Sequence, residues 1–205
     1  MTITALRQIS SDRVTVVLED GSEIKSSLGV VTDRRLFAGK ELSEEELALL
    51  RRDSSRSLAR DLALELISRR RMSRKEVREK LLKKGAGEAA ADYSVSWLSE
   101  HGFLNDGSYA AAVARHYAAK GYGAGRVRSE LQRRGVGREY WDEAVEQMPE
   151  SDDRLDRFLT ARLKDPEDRE QIRKVSAALF RRGYSWEQIR EALRRYSDSI
   201  FKESV

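Results

Sequence analysis

Apolar residues recur at the three- and four-residue spacing of helices from about residue 57 to the end of the chain. One string, V-x3-L-x-[KR]-[KR]-G, occurs three times and begins at Val77, Val127 and Val175, at intervals of 50 and 48 residues. The chain's own residue frequencies predict only about 0.003 occurrences of this string. The sequence therefore contains three copies of one helical unit.

Each copy of the string lies between two further helical patterns. In the first copy, Leu58, Leu62 and Leu66 precede the string, while Ala91 and Val95 follow its glycine. The other copies have apolar residues at the same places: Tyr109, Val113 and Tyr117 with Trp141 and Val145, and Leu155, Leu159 and Leu163 with Ile189 and Leu193. This i,i+4 spacing predicts three helices per unit.

The first 55 residues have a different pattern. Residues 13–19 are rich in β-branched side chains and lead into Asp20-Gly21, which predicts a β-hairpin, and a further short strand is expected near Val30-Val31. Ser43-x-x-Glu46 is a capping box that predicts the start of a short helix, because each of its side chains can pair with the other residue's backbone amide.

These patterns predict a mostly α-helical protein, in which three tandem three-helix repeats form an elongated, curved solenoid. A small N-terminal extension, residues 1–55, contains the β-hairpin and the short helix. We expect the repeats to occupy residues 56–104, 105–150 and 151–205.

Composition narrows the class of protein. The chain has 39 Lys plus Arg against 35 Asp plus Glu, a net charge of +4, and no cysteine, so disulfides and thiolate metal sites are excluded. The longest apolar run has six residues, at 109–114, far short of the roughly 20 of a membrane span. We expect a cytoplasmic protein that does not span a membrane.

The positive charge is concentrated on the second helix of each unit. Residues 69–84 contain nine basic and two acidic residues, residues 115–138 seven and one, and residues 171–195 seven and two. Basic doublets before a helix-ending glycine also have a structural explanation, because cations there complement the helix dipole.

That explanation fails at the predicted start of the helix near Ser73, where the dipole disfavours cations. We therefore expect these helices to meet a phosphate-rich or acidic partner. The candidate binding residues are Arg70, Arg71, Arg74, Lys75, Arg78, Lys83, Arg126, Arg128, Arg133 and Arg181. Four tyrosines could stack on bases, but core or interface packing is the favoured role for each: Tyr117, Tyr122, Tyr140 and Tyr184.

The sequence offers no pattern typical of catalysis. The glycine-rich stretch at residues 121–125 lacks the lysine and hydroxyl of a phosphate-binding loop. Neither His101 nor His116 has a second histidine at ligand spacing. We expect no enzyme activity, no cofactor and no bound metal.

Three motifs resemble the RecX regulatory family, modulators of the RecA recombinase, over roughly residues 56–196. The first is R-x-x-S-x-x-E-V from Arg70, followed by Leu81 and Gly85. The central and most specific one is G-F-L-N-D-x-x-Y-A from Gly102, then G-Y-G from Gly121 and E-L-x-x-x-G-V from Glu130. The third is L-x-R-R-G-Y-S-x-E-x-I from Leu179. Met72 departs from the family, which often has Arg or His there, and Tyr109 replaces a usual Phe.

The resemblance implies a negative regulator that binds along the RecA–single-stranded DNA filament. It implies inhibition of filament extension, ATPase, strand exchange and coprotease activity, with roles in homologous recombination, DNA repair and the SOS response. We expect a monomer whose partners are the RecA filament and, directly or through it, single-stranded DNA. Two alternatives remain open: a sequence-tolerant single-stranded nucleic-acid-binding module, and a generic helical adaptor.

The RecX resemblance predicts a charge-reversal phenotype. Replacing Arg74 and Arg78 together by glutamate is expected to weaken inhibition of RecA ATPase, because electrostatic contacts are lost, and to leave thermal stability nearly unchanged. An ATPase titration with parallel melting curves measures both effects. Undiminished inhibition by the double variant would remove this assignment.

Overall fold

The computed structural model describes residues 1–203, and side chains as far as residue 200. It divides into two compact units, Met1–Asn105 and Asp106–Val205. The first contains β1 (Ile3–Gln8), β2 (Arg13–Leu18), β3 (Glu23–Ser27), α1 (Leu28–Asp33), α2 (Glu44–Arg69), α3 (Arg74–Lys83) and α4 (Glu88–Glu100). The second contains α5 (Asp106–Ala119), α6 (Ala124–Arg133), a 3₁₀ turn (Arg138–Tyr140), α7 (Trp141–Glu146), α8 (Asp152–Arg162), α9 (Arg169–Arg181) and α10 (Trp186–Glu203).

The N-terminal strands form an antiparallel sheet in the order β1-β2-β3. The predicted hairpin is confirmed as β2 and β3, which Gly21 joins at a φ of +81°. The strand predicted near Val30-Val31 is wrong, because these residues lie in α1. The Ser27 hydroxyl accepts the amide of Val30 at 3.3 Å and starts a helix there, and Val31 packs into the sheet's core. Strand β1 was not predicted.

Helix α2 is a single 26-residue helix, where the sequence predicted a short helix followed by a second one. No glycine or proline interrupts residues 44–69, so the helix continues through the expected boundary at residue 55. Its first half packs on the sheet through Leu50, and its second half joins the core of α3 and α4 through Ala63 and Leu66. The division of the chain at residues 55, 104 and 150 stays a prediction.

The three predicted three-helix units are confirmed, since each set of helices surrounds its own apolar core. The cores are formed by α2, α3 and α4, by α5, α6 and α7, and by α8, α9 and α10. The valine and leucine of each repeated string are buried: Val77 and Leu81, Val127 and Leu131, Val175 and Leu179. Capping boxes at Ser73 and Ser185 start the helices α3 and α10, as predicted.

Each repeated string ends in the same backbone motif. The glycine has a positive φ, +90° at Gly85, +65° at Gly135 and +90° at Gly183. Its amide donates to the carbonyl three residues earlier, and the next amide donates to the repeated leucine's carbonyl at 3.0, 3.0 and 3.3 Å. This is a Schellman motif, which places the residue after the glycine against the leucine and ends the helix. The repeated corner therefore follows from one short string.

The corner at Gly183 also holds the second and third repeats together inside the second unit. The Gly123 amide donates to the carbonyl of Arg182, and the Gly125 amide to that of Gly183, both at 2.9 Å. A β-carbon at Gly123 would lie 2.5 Å from the Gly183 oxygen. The glycine-rich stretch at 121–125 therefore permits a close backbone approach.

Alanine substitutions separate the two demands on these glycines. Gly85→Ala places a β-carbon in open space and adds only the strain of a positive φ, about 1–2 kcal/mol. Gly183→Ala adds the same strain and also places its β-carbon 2.2 Å from the Arg126 amide nitrogen. We expect urea denaturation to show a clearly larger loss of stability for Gly183→Ala. Equal losses would contradict this close packing.

Candidate interaction surface

The ten predicted cations fall into two groups. Six lie on or beside α3 in the first unit, and four lie in the second unit on α6 and at the end of α9. All are at least partly exposed. They differ in what else they contact, and this determines how freely each could meet a partner.

Two of the cations form equivalent ion pairs in successive repeats. Arg78 on α3 contacts Asp92 on α4, with Nε 2.5 Å from Oδ1, and Arg128 on α6 contacts Asp142 on α7, with Nη2 3.0 Å from Oδ1. The hydrogen bond between Arg78 and Asp92 raises the pKa of Arg78 and lowers that of Asp92. Each pair cross-links the second and third helices of its unit. Because both pairs are exposed, their guanidinium groups stay accessible.

Two cations interact with the carboxylates of α3. Arg70 donates to Glu76 at 3.2 Å, and Glu76 also accepts the backbone amide of Ser73 in the capping box. Lys75 lies 3.6 Å from Glu79, one turn further along the helix. The carboxylates offset part of the dipole penalty that the sequence predicted for cations at this helix start.

Four further exposed cations have fewer constraints: Arg71, Lys83, Arg126 and Arg181. Among the side chains described, up to residue 200, those of Arg71, Lys83 and Arg181 make no hydrogen bond or ion pair. Arg126 lies over the ring of Tyr122, with 5.9 Å from its guanidinium carbon to the ring centroid. These side chains can pair with an external anion without first breaking an internal ion pair.

Arg133 belongs to a network around a buried carboxylate, Glu130, which opens part of the central motif but to which the sequence analysis assigned no role. Glu130 is 4% exposed and accepts two hydrogen bonds from Arg133, at 3.0 and 2.6 Å, and one from Arg134 at 2.7 Å. Arg134 also donates to the Tyr109 hydroxyl, which joins α6 to α5. Arg133 and Arg134, the second basic doublet, therefore both have a structural role. The Arg133 side chain is also exposed to solvent.

Arginines and aromatic rings also pair between α2 and α4 of the first unit, at positions to which the sequence analysis assigned no binding role. The guanidinium groups of Arg56 and Arg60 on α2 lie over Tyr93 and Trp97 on α4, at 4.4 and 5.1 Å from the ring centroids. The two arginines are four residues apart on α2, and the two aromatic residues are four residues apart on α4. This i,i+4 spacing was a signal in the sequence that could have located them. Arg56, Arg60 and Tyr93 line a cleft of about 650 Å³, whose walls also contain three acids, Asp33, Glu46 and Asp53.

A second cleft, of about 410 Å³, lies in the second unit and brings together three of the predicted cations. Arg126 and Arg128 contribute from α6, and Arg181 and Phe180 from the end of α9. Phe180 stacks on Trp186 with ring centroids 5.1 Å apart. The sequence predicted no binding role for Phe180 or Trp186.

The four tyrosines named from the sequence are packed against other side chains, and one of them, Tyr184, also lines this second cleft. Tyr184 is buried, and Tyr117 and Tyr140 pack against the core of the second repeat. Tyr122 lies beneath Arg126 and Arg182. These positions agree with the packing role that the sequence favoured.

None of the helices among residues 1–203 has the length and apolar content needed to cross a bilayer. Three tandem three-helix units with basic second helices define the chain as a helical-repeat protein. Comparison with known proteins then gives its family.

Family models match all three units. The first, second and third three-helix domains of RecX match residues 59–98, 105–145 and 159–193. A "Regulatory protein RecX" of Vibrio vulnificus is 32% identical over 138 residues, which cover 65% of this chain and 90% of the relative. One of Xanthomonas citri is 37% identical over 135 residues, which cover 64% and 83%. The chain belongs to the RecX family of regulatory proteins.

Solved structures support the same fold. A crystal structure of a regulatory protein RecX has a TM-score of 0.73 at 21% identity and covers 95% of this chain and 98% of its own. RecX from Lactobacillus salivarius has a TM-score of 0.63 at 21% identity and covers 70% and 97%.

The Glu130 network predicts a pH-dependent contribution to stability. Hydrogen bonds from Arg133, reinforced by Arg134 against the opposing effect of burial, lower the pKa of Glu130 from 4.5 to about 2. The stabilisation is therefore complete above about pH 4.5 and is lost as pH falls towards 2. We expect Glu130→Gln to lower the free energy of unfolding at pH 7 by about 2 kcal/mol.

Urea denaturation between pH 7 and pH 2 measures this difference. The gap between the wild type and Glu130→Gln should narrow below pH 4.5, whereas Glu146→Gln, an exposed substitution at the end of α7, should match the wild type. A gap that stays constant down to pH 2 would contradict the role of the carboxylate charge.

Proposed function

We propose that this chain is a negative regulator of the RecA recombinase that binds along RecA–single-stranded DNA filaments. In this proposal it opposes filament extension, ATP hydrolysis, strand exchange and coprotease activity. It acts by binding and makes or breaks no covalent bond. A monomeric state and a cytoplasmic location belong to the same proposal.

The observation that supports the proposal best is the repetition of exposed cations on helices that the fold holds in equivalent places. Arg78 and Arg128 occupy matching positions and make matching ion pairs, while Arg71, Lys83 and Arg181 are exposed and unpaired within the described residues. A filament presents the same surfaces and a phosphate backbone repeatedly. A protein with repeated cationic sites can engage several of them together.

Several weak sites on one chain give an affinity far above that of each site, because binding at one raises the local concentration at the others. Contacts with more than one RecA protomer would also oppose the rearrangements that accompany ATP turnover. Inhibition then needs no reactive group in the regulator.

The single-stranded nucleic-acid-binding module remains a second candidate, because an exposed aromatic pair adjoins the arginines of the second unit. The two candidates differ in what they require. A module that competes for DNA inhibits only at concentrations where it binds bare DNA, with an affinity that falls about 0.7 log units per phosphate contact per decade of salt. A filament regulator inhibits well below that concentration.

A RecA ATPase assay on pre-formed filaments, titrated in parallel with binding to the same DNA without RecA, separates these candidates. We expect half-maximal inhibition at a concentration well below the Kd for bare DNA. Coincidence of the two concentrations would support the competing module, and no inhibition at all would support a generic adaptor.

Charge reversal of the unpaired cations provides a structural test in the same assay. Arg71→Glu combined with Lys83→Glu should raise the concentration needed for half-inhibition about tenfold, because two exposed cations are lost without breaking an internal pair. Lys25→Glu combined with Arg51→Glu changes the net charge equally at exposed positions outside the predicted set. Equal effects of the two double variants would reduce the assignment to net charge alone.

A further inference from the structure

Two large aromatic side chains are exposed side by side in the third repeat. Phe180, at the end of α9, is 51% exposed, and Trp186, the first residue of α10, is 53% exposed. Their rings stack at an interplanar angle of 20°. Two adjacent exposed rings form a candidate binding surface, because water contact with apolar rings is unfavourable.

The surroundings of the pair are cationic. Phe180 forms part of the wall of the 410 Å³ cleft, with Arg126, Arg128 and Arg181, and no acidic side chain lines this cleft among the described residues. The larger cleft of the first unit has four basic residues in its wall together with three acids. Charge complementarity therefore favours an anionic occupant in the second unit.

The cleft is held in shape before any partner binds. The hydrogen bond from the Gly125 amide to the Gly183 carbonyl ties the start of α6 to the turn between α9 and α10. Ser185 and Gln188 form the capping box that begins α10 and so positions Trp186. Asp142 restrains Arg128 through its ion pair. Little ordering is needed on binding, which favours affinity.

We propose that this cleft binds single-stranded nucleic acid, with a base stacked on the Phe180–Trp186 pair and phosphates contacting Arg126, Arg128 and Arg181. Flat ring faces accept any base, and planar guanidinium groups match phosphate oxygens. An acidic protein segment would satisfy the charges but would not use the flat ring faces. This inference rests on the proposed function and adds a direct contact with the strand.

Oligonucleotides with and without bases test the stacking step. Fluorescence anisotropy compares an oligothymidylate with an abasic deoxyribose-phosphate oligomer of equal length and charge. The wild type should bind the thymidylate about tenfold more tightly, within the range for stacking of one base. Trp186→Ala should bind both oligomers equally, whereas Trp186→Phe should keep most of the preference.

Two variants control for folding and charge. Phe103→Ala removes an equally exposed aromatic residue from the first unit, where Phe103 stacks on Trp97, and should keep the wild-type preference. Arg181→Glu should weaken binding of both oligomers by the same factor, since it removes a phosphate contact. Circular dichroism checks that each variant retains its helices.

A single-tryptophan variant gives an independent reading. Trp97→Phe with Trp141→Phe leaves Trp186 as the sole tryptophan, and the oligothymidylate should quench its fluorescence while the abasic oligomer should not.

A thymidylate preference that survives Trp186→Ala would overturn the inference. So would Trp186→Ala that weakens RecA inhibition without changing oligonucleotide binding, because the occupant would then be protein. Failure of the proposed function appears separately, as wild-type protein that binds oligonucleotides without inhibiting RecA.

Discussion

The structure depends on one backbone constraint, a helix ended by a left-handed glycine one turn after a buried leucine. Only glycine adopts a φ near +90° without a side-chain penalty, and the two amides that follow the helix then satisfy carbonyls that would otherwise lack partners. Each repetition fixes where the second helix stops and the third begins. Each of the three units therefore encloses its own apolar core.

This constraint also gives some of the predicted binding residues a structural role. Cations in the last helical turn stabilise the helix end through the helix dipole. In the second repeat the buried Glu130 also accepts hydrogen bonds from both arginines of the doublet. Arg71, Lys83 and Arg181 have no such partner among residues 1–203. A regulator that works by multipoint contact can combine both kinds of cation, since exposed ion pairs keep their charge accessible.

The third repeat shows how packing can create a surface that no helix provides alone. Glycines at 123, 125 and 183 let two backbones approach closely, which brings the arginines of α6 beside the ring of Phe180. The first unit has a different arrangement, in which arginines cover the aromatic rings of α4. Repeats that share a fold therefore carry distinct chemistry, and this permits different contacts within one partner assembly.

The sequence by itself determined the three helical units, their buried valines and leucines, the hairpin and the basic second helices. These features depend on local periodicity, capping and turn preferences, which act over a few residues. Tertiary structure alone decided that Glu130 is buried and that Phe180, exposed beside Trp186, lies next to the arginines of α6. The physical reason is that burial, ion pairing and ring exposure depend on neighbours distant in the chain or on another helix, which no local pattern records.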